Sequence, residues 1–176
     1  MHVNPDAPAD TSMMRIVHSA LRRDLRRARV ALTRVPPPDE RQRAAIAEQL
    51  RWLMAFLEAH HRSEDVGLYP VVREREPGAA ALLDAMARDH EAIAPAIVEL
   101  ERAAARCADG DECEPLVDAL DAVTDVLLPH LQREEDEVMP VVSRAITNAE
   151  WSAIEQRDHL DGTSMAQLGR EGHWLI

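Results

Sequence analysis

The sequence contains the same arrangement of potential metal ligands twice. Residues 60–72 read HHRSEDVGLYPVV and residues 130–142 read HLQREEDEVMPVV, so each copy has a His, a Glu four residues later and a Pro ten residues after the His. Residues i and i+4 of an α-helix lie on one face, one turn apart. Imidazole and carboxylate together suit Fe, Mn or Zn, whereas Ca and Mg favour oxygen ligands alone. The repeat therefore predicts a metal site shared by two similar helical halves.

Two further His residues, His18 and His90, precede the two copies. A single His–Glu pair would also fit a charged helix surface, where it stabilises the helix by only about a few tenths of a kcal/mol. A solvated surface does not explain why the Pro and the apolar residues around it are repeated as well. Four His and two Glu in one core would be costly to bury without a cation. The repetition therefore favours metal ligation over a surface pair.

The composition indicates a helical protein. The length of 176 residues and the hydrophobic content of 46% fit one globular domain with a sizeable core. The apolar residues are mainly Ala, Leu and Val, whereas aromatic residues make up 3% of the chain and only six Gly are present. Such a composition favours helices over a turn-rich β fold.

Charge and terminal sequence limit the classes of partner. The formal net charge of −12 disfavours binding to nucleic acid, which requires a positive surface. The N-terminal residues include no apolar signal segment, and no apolar run reaches the roughly 18 residues that a membrane span needs. We therefore expect no membrane association and a cytoplasmic location. In that compartment Cys107 and Cys113 are expected to be free thiols.

Apolar residues recur with helical spacing in four stretches, which are separated by Pro- and Gly-containing breaks. The predicted helices span about residues 12–34, 39–75, 79–107 and 114–145. Pro70 and Pro129 are expected to kink the second and fourth helices close to the ligand pairs. Short connections between four long helices favour an all-α, up-down-up-down four-helix bundle.

Three regions follow from this pattern. Residues 1–11 are rich in Pro and Asp and are expected to be disordered, and residues 12–146 form the bundle. Residues 147–176 form a C-terminal extension, in which a capping box at 147–150 predicts a short helix before an irregular tail.

In their order along the chain, these motifs resemble the hemerythrin-like family, the HHE cation-binding domain. That family has a His on helix one, His-x-x-x-Glu on helix two, a His on helix three and His-x-x-x-Glu on helix four. The matching residues here are His18, His60, Glu64, His90, His130 and Glu134. The resemblance implies a non-haem site with two iron ions, bridged by the carboxylates and by an oxo or hydroxo group. Mn or Zn are substitutes that the same ligands would accept.

The chain departs from the oxygen-carrying members of that family at Ala94, where they have a second helix-three His. One iron is therefore expected to lack a His ligand. His61 is a candidate for an extra ligand, although it lies about 100° round the helix from His60. His159 and His173 in the extension are weaker candidates.

Several functions stay open at this point. The resemblance implies a protein that binds or reacts with O2, NO or peroxide, and a catalase-like activity is one form of this. The alternative is an iron-holding or iron-sensing module without catalytic activity. A ferritin-like oxidase would need Glu-x-x-His on two helices, and only Glu58 with His61 provides it. Tyr69 is expected to pack in the core, with a hydrogen bond to a bound molecule or direct ligation as alternatives. The sequence does not identify a protein partner.

Overall fold

The computed structural model describes residues 4–160, with side chains up to residue 154. This part of the chain is helical and contains no strand, which confirms the all-α class. The α-helices are α1 (Ser12–Thr33), α2 (Glu40–Ser63), α3 (Tyr69–Arg75), α4 (Ala80–Ala108), α5 (Glu114–Arg133), α6 (Met139–Ala145) and α7 (Asn148–Leu160). Two π-helices, π1 (Glu64–Leu68) and π2 (Glu134–Val138), and a 3-10 turn (Pro77–Ala79) complete the set.

The long helices α1, α2, α4 and α5 pack side by side. α1 contacts α2 and α5, and α4 contacts the same two helices. Each helix buries an apolar stripe, such as Val17, Leu21 and Leu25 on α1. Asp39 begins α2 with a capping box, because its side chain accepts from the Gln42 backbone N–H while the Gln42 side chain accepts from the Asp39 N–H.

The predicted second and fourth helices each continue through a π-helical turn. π1 begins at Glu64 and π2 at Glu134, the two Glu residues of the repeated pattern. The N–H of Tyr69 bonds to the Glu64 carbonyl, and the N–H of Met139 bonds to the Glu134 carbonyl, so both bonds span five residues. The next residue is a Pro in both copies, and it has no N–H to continue the normal ladder. The predicted distortion near Pro70 is therefore a widened turn, a feature that is frequent at functional sites.

The apolar core is divided into two clusters by a polar layer. The larger cluster includes Leu57 of α2 and Leu131 of α5. The smaller one includes Leu68 at the end of π1 and Val138 at the end of π2. Between Leu57 and Leu68 the sequence passes through the first copy of the ligand pattern. The potential metal ligands thus lie between two apolar regions.

Residues 4–11 are held against the segment that joins α6 to α7, whereas the sequence predicted disorder for residues 1–11. Pro8 and Thr147 form an isolated antiparallel bridge, and the Ala9 N–H donates to the Ile146 carbonyl. Ala9 is buried in the smaller core cluster. The Asp10 N–H also donates to the side-chain Oδ1 of Asn148 at 2.8 Å, across 138 positions of sequence. Local composition does not reveal such a long-range interaction.

The prediction that Cys107 and Cys113 are free thiols is wrong. They form a disulfide that closes the connection between α4 and α5, with Cα atoms 5.0 Å apart. This separation lies in the usual range for disulfides. The expectation relied on a compartment rather than on geometry. Among residues 4–160, no helix is long and apolar enough to cross a membrane.

Candidate metal centre

The buried polar side chains of the described residues are concentrated in one place. Eight such residues are buried, and they are His18, His60, His61, Glu64, His90, His130, Glu134 and Glu135. The structure therefore brings together all six side chains that the sequence pattern singled out, and it adds His61 and Glu135. Glu58 is exposed on α2, so the single Glu-x-x-His match is not part of this cluster.

The possible ligand atoms fall into three overlapping groups, each with atoms within 4.8 Å of one another. The first group contains His18, His60 and Glu134, and the second contains His61, His90 and His130. The third group joins Glu64 and Glu134 to His130. Glu134 belongs to the first and third groups and His130 to the second and third, so the three groups share members.

His60 and His61 face different neighbours, although they are adjacent on α2. The ring of His60 lies 5.7 Å from that of His18, whereas the ring of His61 stacks on His90 with centroids 4.1 Å apart. Successive residues of a helix point about 100° apart, and α2 packs against both α1 and α4. Both directions therefore lead into the core. The same position in the second copy is the buried residue Leu131, so the two halves differ here.

This arrangement changes the expectation based on Ala94, which is exposed on α4. His61 provides a third imidazole beside His90 and His130, so the group on that side does not lack a His. The angle of about 100° between His60 and His61 would direct His61 away from the core only if α2 had a single buried face. Because α2 is buried on two sides, His61 also points into the core. His159 and His173 lie outside the residues whose side chains the structure describes.

Two carboxylates bind the Nδ1 atoms of two of these His residues, on the side of each ring that faces away from the other candidate ligands. Glu135 Oε1 lies 2.9 Å from His18 Nδ1, and Asp65 Oδ2 lies 2.9 Å from His90 Nδ1. An ionised carboxylate can only accept, so the imidazole must carry its proton on Nδ1. The lone pair of the neutral ring is then on Nε2. Sequence reasoning missed both residues, although an acidic residue follows the ligand Glu in both copies.

The Nε2 atoms of the same two rings face carboxylate oxygens, which have no proton to donate when ionised. His18 Nε2 lies 3.3 Å from Glu134 Oε2, and His90 Nε2 lies 3.5 Å from Glu64 Oε2. His18 Nε2 and Glu134 Oε2 are both buried and make no hydrogen bond. The Nε2 atoms of His60, His61, His90 and His130 are also buried without a hydrogen bond. Buried lone pairs facing each other are unfavourable unless a cation lies between them. The donor set therefore fits a cationic metal.

Burial keeps several of these imidazoles neutral. It lowers the pKa of His60 to about 3 and that of His130 to about 4, and it also lowers the pKa of His61. Burial raises the pKa of Glu134, but the proximity of His18 and His60 outweighs it, so the net pKa is lowered. Neutral imidazole and ionised carboxylate are the forms that bind metal.

Tyr69 borders the cluster from the first residue of α3. Its hydroxyl donates to Glu134 Oε1 at 3.3 Å, and its ring stacks on that of His90 with centroids 6.0 Å apart. Burial and the nearby carboxylate of Glu64 raise the pKa of the phenol, so it stays a donor. Tyr69 therefore packs in the core, as expected, and also donates a hydrogen bond to Glu134, which is a candidate metal ligand.

The chain matches the family model of the hemerythrin HHE cation binding domain over residues 9–142. It belongs to this family. The family resemblance seen in the motifs is thereby confirmed, and the hemerythrin-type match includes every residue of the candidate metal centre. It ends within α6, so α7 lies outside it. Searches of curated proteins and of solved structures found no match.

Proposed function

We propose that this hemerythrin-like chain binds two iron ions in the buried cluster and reacts there with a small molecule, namely O2, NO or peroxide. The observation that carries the proposal is that His18 and His90, whose Nδ1 atoms contact one carboxylate each, direct Nε2 at a second carboxylate, 3.3 Å from Glu134 and 3.5 Å from Glu64. The proposed ligands are His18, His60, His61, Glu64, His90, His130 and Glu134. The fold that goes with this site is an up-down-up-down bundle of the four long helical segments.

The ligands divide unevenly between two positions. His18 and His60 lie on one side, and His61, His90 and His130 lie on the other. Glu64 and Glu134 lie between them, so we assign both as bridging ligands. The two-His position has fewer protein donors and is the one we expect to accept an exogenous molecule. Bound there, iron would act as an electron donor or Lewis acid toward that molecule.

Iron is the favoured metal because mixed imidazole and carboxylate ligands suit it, and Mn or Zn remain substitutes by the same criterion. Cytoplasmic location stays a prediction, and the disulfide is an observation against it, since disulfides are rare in the cytosol. The partner is a small molecule rather than nucleic acid, given the net charge of −12.

Iron holding without catalysis is the second candidate function, and burial favours it. His18 and Glu134 are both 0% exposed, so access to the centre from solvent is restricted on that side. Restricted access suits a protein that only holds iron, because it keeps solvent and oxidants away from the metal. A catalase-like activity instead requires that peroxide reach the metal. The two functions share the same ligands and differ in their reaction with added oxidants.

One set of measurements tests both proposals. We expect anaerobic titration with Fe(II) to give two ions per chain for the wild type and for Glu137→Ala, which changes an exposed residue of π2. Glu134→Ala should bind less than one, because a bridging ligand is lost. A stoichiometry below one in the wild type would contradict the dinuclear site. Rapid mixing of the iron-loaded protein with O2, NO or peroxide then separates the two functions, since iron holding predicts no fast spectral change.

A further inference from the structure

Asp65 and Glu135 occupy equivalent positions in the repeat. Each directly follows a proposed bridging Glu, and each is the second residue of its π-helical turn. Asp65, which follows α2, reaches His90 on α4, and Glu135, which follows α5, reaches His18 on α1. The two contacts have the same 2.9 Å separation and the same nitrogen, Nδ1. The repeat thus duplicates a carboxylate–imidazole contact as well as the proposed ligands.

We infer that Asp65 and Glu135 are positioning residues, which hold His90 and His18 with Nδ1 protonated and Nε2 directed at the metal. This inference rests on the proposed function. A fixed ring needs no reorientation when metal binds, and the carboxylate makes the other nitrogen a stronger donor. Neither residue needs to contact the metal for these effects.

Each π-helical turn supplies both a proposed metal ligand and the carboxylate that orients a His ligand. In π1 the residue Glu64 lies toward His60 and His90, while the next residue, Asp65, reaches Nδ1 of the same His90 ring. In π2 the residue Glu134 lies near His18 Nε2 while Glu135 binds His18 Nδ1. His18 and His90 are therefore each flanked by two consecutive acidic residues, one bonded to Nδ1 and the other facing Nε2. A ligand and its orienting carboxylate thus come from adjacent positions.

The two contacts differ in how their carboxylates are stabilised. Glu135 is 7% exposed, and Arg22 Nη1 donates to its Oε1 at 2.6 Å. Arg15 lies 3.8 Å from its Oε2, and that guanidinium is largely exposed. Asp65 keeps 36% of its side chain exposed and is stabilised by solvent instead. Arg22 thus places a positive charge beside Glu135 in a buried position, where a carboxylate alone would be costly.

The test compares Asp65→Ala and Glu135→Ala with the wild type, using Glu137→Ala as the control. We expect Fe(II) affinity, measured anaerobically by chelator competition, to fall about 10- to 100-fold in the first two variants and to stay unchanged in the control. Asp65 is partly exposed, so its variant keeps the core intact even if Glu135→Ala disturbs packing around Arg22.

A second measurement separates positioning from general destabilisation. In zinc-loaded protein with 15N-labelled His, the wild type and Glu137→Ala should show slowly exchanging Nδ1–H protons assigned to both His18 and His90. Each Ala variant should lose one of them and keep the other. Retention of both protons, or wild-type affinity in both variants, would overturn the inference while two metals still bind. Failure of the wild type to bind metal would instead overturn the proposed function.

Discussion

The rings of His61 and His90 stack with centroids 4.1 Å apart and an interplanar angle of 11°. Both rings also lie within 5.0 Å of the ring of His130. Three imidazoles from α2, α4 and α5 therefore converge, and one of them comes from a residue whose counterpart in the other half is Leu131. The centre is symmetric in its carboxylates and asymmetric in its His residues.

The first prediction follows from this asymmetry. His61→Leu places the residue of the second copy into the first, so the buried side chain keeps a similar size and loses its two ring nitrogens. We expect one of the two metals to bind at least about tenfold more weakly, because its position loses a ligand. The other metal should bind as in the wild type. Calorimetric titration would resolve two unequal steps in the variant.

Glu58→Gln is the matched control, since it changes an exposed residue on the same turn of α2. It should leave both metal-binding steps unchanged. If His61→Leu also behaved like the wild type, His61 would be a packing residue, and the second position would have only His90 and His130 as imidazole ligands.

The second prediction concerns the hydroxyl of Tyr69. Tyr69→Phe keeps the ring that stacks on His90 and removes the hydrogen bond to Glu134 Oε1. We expect metal stoichiometry to stay at two, and the free energy of unfolding to fall by about 1 kcal/mol. The rate of reaction with peroxide should change, because a ligand carboxylate loses its donor. Stopped-flow absorption compares the two proteins, and identical rates would limit Tyr69 to packing.

Much of the centre follows from the sequence because its determinants are local. The spacing of His60 and Glu64, or of His130 and Glu134, places each pair on one helical face without reference to other elements. The long helices are predictable for the same reason, since apolar periodicity within one segment identifies them. The π-helical turns are only half predictable, because Pro70 signals a distortion but not its type.

The remaining features depend on contacts between distant segments. The role of His61 depends on α2 having buried neighbours on two sides, which a single-helix periodicity does not show. Glu135 reaches His18 across 117 positions of sequence. The bridge between Pro8 and Thr147 is similarly long-range. Local composition predicted disorder there, because Pro and Asp are common in unstructured segments.

The third prediction concerns the disulfide between Cys107 and Cys113. It closes a short loop, so Cys113→Ala should lower the free energy of unfolding by about 2 kcal/mol through the greater freedom of the unfolded chain. Urea denaturation measures this change. Wild-type protein under reducing conditions should behave like the variant, which serves as the control for any effect of the Ala side chain. Metal stoichiometry should be the same in all samples.

The last prediction concerns acid. An unfolded His takes up a proton near pH 6.5, but burial lowers the pKa of His60 in the fold to about 3 and that of His130 to about 4. Between these values the unfolded state binds more protons, so stability falls as pH falls. The lowered pKa of Glu134 acts in the same direction below its ordinary value of 4.5. The metal-free protein should therefore lose roughly 1 kcal/mol per pH unit for each such His below pH 6.5.

Urea denaturation of metal-free protein at pH 7.0, 6.0 and 5.0 measures this slope. His60→Leu removes one titrating group, so its slope should be smaller by about one proton per chain. Added Fe(II) should raise the melting temperature at pH 7.0, because metal binds only the folded state, and the gain should shrink at pH 5.0 as protons compete for the ligands. Equal stability of the metal-free protein at pH 7.0 and 5.0 would show that these imidazoles are not held neutral by burial.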